Sequence, residues 1–243
     1  MRPRVVASIE ARMGSSRLPG KVLAEVGGEP VLAKIVRRLR RARAIDDVVL
    51  ATTTEARDDV LAGWAASTGI ACHRGSEDDV LGRVVGAHSQ MGSELVVELT
   101  ADGPFLDPEI LDLGVETFLA NEVDVVANVR HLSFPQGIDV QVFRLAALEE
   151  VARTIGDPAV REHVSLHFYE HPERYRILHL VAPRRWHAPE LRLLLDYPDD
   201  LRFVREIHAR LGDESGLDEI LALLRREPSL VEINRHCQER PPR

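Results

Sequence analysis

Hydrophobic positions fall along this chain in short β-branched runs separated by longer stretches of helical period. Val5, Val6 and Ile9 open the first run, a strand over Val5–Glu10. The pattern next predicts a helix over Pro30–Arg43, with Val31, Leu32, Ile35, Val36 and Leu39 on one face, and a strand over Val48–Thr53. A helix over Asp58–Ser67, a strand over Ile70–His73, a helix over Asp79–Gln90, a strand over Leu95–Thr100, a helix over Pro108–Asn121 and a strand over Val123–Asn128 follow. Repeated strand–helix units predict an α/β fold whose mostly parallel sheet is covered on both faces.

After Asn128 the rhythm changes. The turn-like run 134–139 leads to a short strand over Val140–Phe143, then to helical stretches around Arg144–Thr154 and Ala159–His171. Strands are predicted over Arg176–Val181 and Leu191–Leu195, the second returning to the sheet, and two or three helices from Asp199 onward, broken at Gly212, Gly216 and Pro228. One α/β domain over 1–243 with an inserted arm at about 129–185 is the simplest organisation.

Composition narrows the classes. A hydrophobic content of 44% with 29% charged residues is enough for a full core. The net charge of -8 argues against general nucleic-acid binding. Arg37, Arg38, Arg40, Arg41 and Arg43 crowd one helix end, where they read as a mostly solvated face. Cys72 and Cys237 make no disulfide framework and fit reduced thiols. No apolar run approaches the ~20 residues of a membrane span, and no signal-peptide core opens the chain, so the expectation is a cytoplasmic protein without a membrane partner.

The chemistry concentrates in residues 10–21, Glu-Ala-Arg-Met-Gly-Ser-Ser-Arg-Leu-Pro-Gly-Lys, directly after the first strand. Arg12, Arg17 and Lys21 with Ser15, Ser16, Gly14 and Gly20 share one loop at a strand's C-terminal end, the edge where open α/β sheets bind ligands. Arginine forks phosphate oxygens and glycines admit close backbone approach, so a triphosphate suits this loop. A Walker A loop is excluded: five residues separate Gly14 from Gly20-Lys21 where four are required, and Val22 stands where a hydroxyl should bind magnesium. Of the 31 cations only Lys21 and Lys34 are lysines, which singles out position 21 as one wanting a compact charge.

Two acids follow later strands, Asp102 in Thr-Ala-Asp-Gly-Pro and Asp196 after Leu193-Leu194-Leu195. Carboxylates from separate strand ends suit magnesium bridging to phosphates. A turn residue at 102 and a helix N-cap at 196 are the equally open structural alternatives. Arg74, Ser76 and Arg83 flank another strand-to-helix loop, in which Ser76 or Asp78 is expected to cap the helix. His163 lies on a predicted helix.

These motifs, in order, resemble the cytidylyltransferases of the spore-coat polysaccharide and CMP-KDO synthetase type. The resemblance runs through residues 11–21, Arg-Gly-Ser-Glu-Asp-Asp-Val-Leu-Gly-Arg at 74–83, 100–104, Phe-Pro-Gln-Gly-Ile-Asp-Val-Gln-Val-Phe at 134–143, Arg-Glu-His-Val at 161–164 and Leu-Asp-Tyr-Pro-Asp-Asp-Leu at 195–201. It implies a Rossmann-like nucleotidyltransferase fold, GT-A-like, with a mixed sheet and an inserted dimerisation and acceptor arm. It further implies CMP transfer from CTP to a sugar or sugar-acid acceptor, pyrophosphate release, dependence on Mg2+, and a homodimer. Carried over by position, Arg12, Ser15, Ser16, Arg17 and Lys21 hold the triphosphate, with Arg12 and Lys21 catalytic, and Arg74, Ser76 and Arg83 help bind the nucleotide. Asp102 and Asp196 match the metal acids, and Gln136, Asp139, Arg161 and His163 fall where the acceptor is expected.

The chain departs from the family pattern at several places. Glu10 stands where Gln or Pro is usual, and a carboxylate there must pair with an arginine or a metal or repel phosphate. Gly-Asp-Cys-Pro is Ala-Asp-Gly-Pro at 101–104, which keeps the acid. Gln136 replaces a usual Arg and Gln141 a usual Glu; the cation lost at 136 implies an acceptor that differs from the commonest one and carries less negative charge. A glycosyltransferase, often marked by Asp-x-Asp, fits poorly because Gly103-Pro104 follows Asp102. A nucleotidyltransferase using another NTP, or a phosphate or phosphonate acceptor, and a non-catalytic nucleotide-binding subunit stay open.

Overall fold

The structure, a computed structural model, describes residues 2–238. Strands β1 (Val5–Glu10), β4 (Asp47–Thr53), β5 (Ala71–Gly75) and β6 (Leu95–Thr100) alternate with helices α1 (Val31–Leu39), α2 (Asp59–Thr68) and α3 (Val80–Met91). A two-stranded hairpin of β2 (Glu25–Val26) and β3 (Glu29–Pro30), unforeseen in the hydrophobic pattern, precedes α1. Helix α4 (Pro108–Ala120) leads to β7 (Val125–Ala127), followed by β8 (Gln141–Arg144), α5 (Leu145–Thr154), α6 (Pro158–Glu162), α7 (Leu166–Glu170), β9 (Ile177–His179), α8 (Pro198–Leu211) and α9 (Leu217–Arg226).

The main sheet has seven strands in the order β5-β4-β1-β6-β8-β7-β9. β8 runs antiparallel to both β6 and β7, so the sheet is mixed. The parallel half reverses direction at β1: the chain moves outward to β4 and β5, then crosses back to place β6 on β1's other side. Outside the C-terminal ends of the strands at such a switch point, an open sheet leaves a crevice.

Alternation along each strand fills two layers. Val5, Ala7 and Ile9 face the core shared with α1, α4 and α9, whereas Val6 packs with Val49, Ala51 and Ala87 of α3. On that second face Val96, Val125, Ala127 and Phe143 meet α3, α5 and α7. Burial on both faces explains why these strands read as nearly continuous apolar runs. The stretch 129–185 contributes β8 and β9 to the sheet and packs α5, α6 and α7 on its second face.

Three local expectations are corrected. Residues 191–195 form no strand; Leu193 N donates to Gln136 O at 2.8 Å and Leu195 N to Asp102 O at 2.8 Å, an irregular extended run. The helix predicted over Ala159–His171 is two short ones, with His163 just beyond the end of α6. The arginine cluster is not all solvated: Arg38 is buried and donates to Ser215 O at 2.9 Å. No helix among the described residues is long and apolar enough to cross a membrane.

Candidate active site

The loop after β1 folds back on itself because its own backbone bonds close it. Gly20 N and Ser15 N both donate to Met13 O, at 3.1 and 3.0 Å, and Met13 N is anchored by buried Asp58 at 2.6 Å. Gly20 has φ of +71°, a left-handed turn that favours glycine and starts the single turn Lys21–Leu23. Val22, the position that breaks the Walker pattern, is instead buried in the core. The loop thereby hangs its polar side chains over the β1–β6 switch point.

A cavity of about 600 Å3 opens there. Arg12, Ser15, Ser16, Arg17 and Lys21 line it from the loop, with Arg83, Asp102, His163 and Asp196 opposite. The other sequence-selected residues lie elsewhere. Arg74 ties the end of β4 to α2 through Thr53 O at 2.8 Å, Glu55 O at 3.0 Å and Asp59 at 2.7 Å. Ser76 meets the site through its carbonyl, which accepts from Arg83 at 2.5 Å. Arg161 bonds Ala152 O at 2.7 Å and pairs with Asp79 at 2.8 Å. Gln136 and Asp139 lie on the turn between β7 and β8, where Gly137 has φ of +89° and a Cβ would sit 2.9 Å from Leu193 O. That close approach brings the turn against the run leading to Asp196. The cap of α3 is Asp79, whose side chain accepts from Gly82 N at 2.8 Å, rather than Ser76 or Asp78.

Asp102, just after β6, and Asp196, after the irregular run 191–195, converge on one cation. Lys21 Nζ lies 2.5 Å from Asp196 and 3.6 Å from Asp102. Asp196 also accepts from Arg17 at 2.8 Å and faces Arg192 at 3.8 Å. Arg12 pairs with Glu77 at 3.4 Å. The loop's three cations are thus held by carboxylates that an entering polyanion must displace.

Asp196 is not the helix cap. Buried Asp200 has that part, accepting from Asp196 N at 2.9 Å and Tyr197 N at 3.0 Å at the start of α8. Two bonds of 3.0 Å from Arg192 and one of 2.9 Å from Asn234 complete it. Burial pushes the Asp200 carboxyl up, but its bonds to Arg192, Asp196 N and Asn234 hold it below the usual range. Sequence reasoning missed this support, although an acid at the third helical position after a proline is a helix-start signal.

Glu10 forms no ion pair with an arginine among the described residues, although the charge of Arg83 acts on it. It hydrogen-bonds Glu98, a lone acid in the otherwise apolar run of β6. Burial, then the Glu98 charge and the bond to it, raise the Glu10 carboxyl well above 4.5, and the charge of Arg83 only partly opposes them. The folded chain therefore keeps a proton that the unfolded chain loses near 4.5, so this term stabilises fully below 4.5 and fades as pH rises through the folded value. Urea denaturation at rising pH above 4.5 should show Glu10→Gln gaining stability relative to the parent chain. An unchanged pH slope in the variant would refute this.

Comparison with known proteins then decides the family. Residues 6–230 match the sequence model for cytidylyltransferase. The chain belongs to the cytidylyltransferase family. Within it, 227 residues are 34% identical to the spore coat polysaccharide biosynthesis protein SpsF of Bacillus subtilis, covering 90% of this chain and 93% of that protein. The 3-deoxy-manno-octulosonate cytidylyltransferase of Geobacter sulfurreducens is 32% identical over 119 residues, 48% of this chain and 46% of that one. A solved cytidylyltransferase from Leptospira borgpetersenii superposes with a TM-score of 0.90 at 28% identity, covering 99% and 100% of the two chains. The expected nucleotidyltransferase fold and enzyme class hold for this cytidylyltransferase.

Proposed function

We propose that this enzyme transfers CMP from CTP to a sugar-like acceptor and releases pyrophosphate. The observation that carries the reading is the convergence of Asp102 and Asp196 on Lys21 beneath a loop of further cations and hydroxyls. Arg12, Ser15, Ser16, Arg17 and Lys21 bind the triphosphate, and Arg74, Ser76 and Arg83 form the nucleotide-binding segment. Gln136, Asp139, Arg161 and His163 serve the acceptor. Of these, His163 lines the cavity itself. The names of the spore-coat and octulosonate relatives support a sugar or sugar acid as acceptor.

The acids fit magnesium chemically. They offer hard oxygen donors already gathered around one positive charge, and magnesium needs only one or two carboxylates with phosphate oxygens and water. Among the described residues no group of three His, Cys, Asp or Glu gathers to hold a metal, so these two acids are the protein's donors for the ion. Asp102 and Asp196 would hold the ion, which when bound supplies positive charge beside the reacting phosphoryl oxygens. Lys21, released from Asp196, turns to the phosphates. The acceptor oxygen attacks the α-phosphorus in line, its hydroxyl proton passing to water, the new O–P bond forms, and the bond to the β-phosphate breaks. Pyrophosphate leaves with that electron pair, its growing charge met by Arg12 and Lys21.

The same reading makes the enzyme a cytoplasmic homodimer joined through residues 129–185. Leu132 and Val181 in that stretch, 69% and 63% exposed beside the free side of β9, support the assembly. The site reading is tested by thermal unfolding with CTP, UTP, ATP and GTP, each with and without magnesium. CTP with magnesium at about 100 times its Kd should add ~2.7 kcal/mol, a rise of roughly 5–10 °C for a chain this size. An equal shift with every nucleotide, or none with CTP, would refute the CTP assignment.

A further inference from the structure

The turn that joins β4 to α2 carries a buried acid that the proposed chemistry does not use. Asp58 ends the single turn Ala56–Asp58 and stands where the cap of α2 belongs, yet its side chain makes no capping bond. An acid at a helix start normally accepts from its own helix, so capping does not account for it. Its carboxylate has no exposed surface and both oxygens are spent elsewhere. One accepts from Met13 N at 2.6 Å, in the loop after β1, and the other from the hydroxyl of buried Thr53 at the end of β4.

Met13 ties that loop together. Its N–H goes to Asp58, its carbonyl takes Ser15 N and Gly20 N, and Gly20 leads directly into Lys21. Arg12 and Gly14, on either side of Met13, line the cavity. The Asp58 turn meets these neighbours as well. A Cβ on Gly14 would stand 3.2 Å from Arg57 Cζ, and Arg57 pairs with the Glu77 carboxylate that Arg12 also reaches. That Arg57 pair is half exposed and worth little, whereas a buried carboxylate accepting from a backbone N–H is the stronger kind of bond. From behind, Arg74 braces the same turn through Thr53 O and Glu55 O.

We propose that Asp58 is a positioning residue for the triphosphate: by fixing Met13 it sets the loop that carries Arg12, Ser15 and Lys21 to the cavity, and affinity for the β- and γ-phosphates depends on it without contact. The proposal rests on the CTP reading. It also gives Arg74 a part in nucleotide binding from outside the cavity, because Arg74 holds the turn that holds the loop.

Isothermal titration with CTP, CMP and inorganic pyrophosphate, each with magnesium, tests it. Asp58→Ala should weaken CTP and pyrophosphate about tenfold, the cost of leaving the loop to be ordered by its ligand. CMP, which lacks the β- and γ-phosphates, should bind nearly as it does to the parent. Asp58→Asn keeps an oxygen for Met13 N and should restore most of the affinity. Because Asp58→Ala leaves the Thr53 hydroxyl without its buried acceptor, the double variant Asp58→Leu/Thr53→Val removes both polar groups and should fold and show the same selective loss. Equal weakening of all three ligands, unchanged CTP affinity in Asp58→Ala, or an Asn variant as impaired as Ala would overturn the proposal alone. A parent chain that binds no nucleoside triphosphate would overturn the CTP reading and this proposal together.

Discussion

Replacing Lys21 with Ala should lower turnover by about 10²–10³-fold, the usual cost of removing one fixed charge from a developing anion. Lys21 is the group to choose because its ammonium is the point on which Asp102 and Asp196 converge. Its side chain is mostly buried, so the charge is poorly screened by water. Removal should raise the KM for the nucleotide as well, but leave the KM for the acceptor nearly unchanged, because Lys21 pairs with Asp102 and Asp196 and, in the proposed mechanism, meets the phosphates and not the acceptor. Lys21→Arg should rescue little: a planar guanidinium does not replace a point charge seated between two carboxylates. Pyrophosphate release gives kcat, and varying each substrate separates the two KM values. A variant turning over as fast as the parent would remove Lys21 from the mechanism.

Much of this site was legible because one loop carries it. Arg12, Ser15, Ser16, Arg17 and Lys21 are neighbours in sequence, and the strand before them is a plain β-branched run, so loop and sheet edge are read together. Asp102 and Asp196 were legible for a related reason: each follows an apolar run and begins a turn. Their meeting on Lys21 was not, since it depends on Gly137 letting a turn approach residues 191–195. A run such as Arg192-Leu193-Leu194-Leu195 has strand composition, but its bonds go to Gln136 and Asp102 in place of a ladder. Composition records burial and not the bonding partner.

The row Ser8, Glu98 and Gln141, polar across β1, β6 and β8, was missed for a different reason. Glu98 interrupts Leu95-Val96-Val97 in a strand otherwise buried on both faces, and that single charge was the available signal. Its meaning needs β8, which arrives more than forty residues later and runs antiparallel, placing Gln141 opposite. Likewise Glu10 read as a threat to phosphate because its partner could only be guessed as a cation. Its neighbours are another acid, Glu98, and Arg83, and the nearness of Glu98 follows only from the register of β1 against β6, which sets Glu98 opposite Ser8 and Glu10 opposite Thr100.

The largest loss of stability should come from Asp200→Ala, by about 3–5 kcal/mol. This carboxylate has no exposed surface and serves four tasks at once. It accepts from the amide of Tyr197, the residue that caps α8, fixes Asp196 N, takes both bonds of the Arg192 fork and binds Asn234. Truncation strands the Arg192 guanidinium, whose side chain is buried, and a stranded buried charge costs more than the pair contributed. For a chain of this size the melting temperature should fall by roughly 8–15 °C. The double variant Asp200→Leu/Arg192→Met should be less destabilised than the single, because no charge is left unpaired. Acid gives an independent sign: with its folded value depressed, Asp200 stabilises above 3.8 and loses that contribution as pH falls through the folded value. Urea denaturation between neutral and acid pH therefore should show a smaller acid loss in Asp200→Ala than in the parent. An Asp200→Ala chain as stable as the parent would mean that water replaces every bond this acid makes, and that Asp196 is positioned by the loop cations alone.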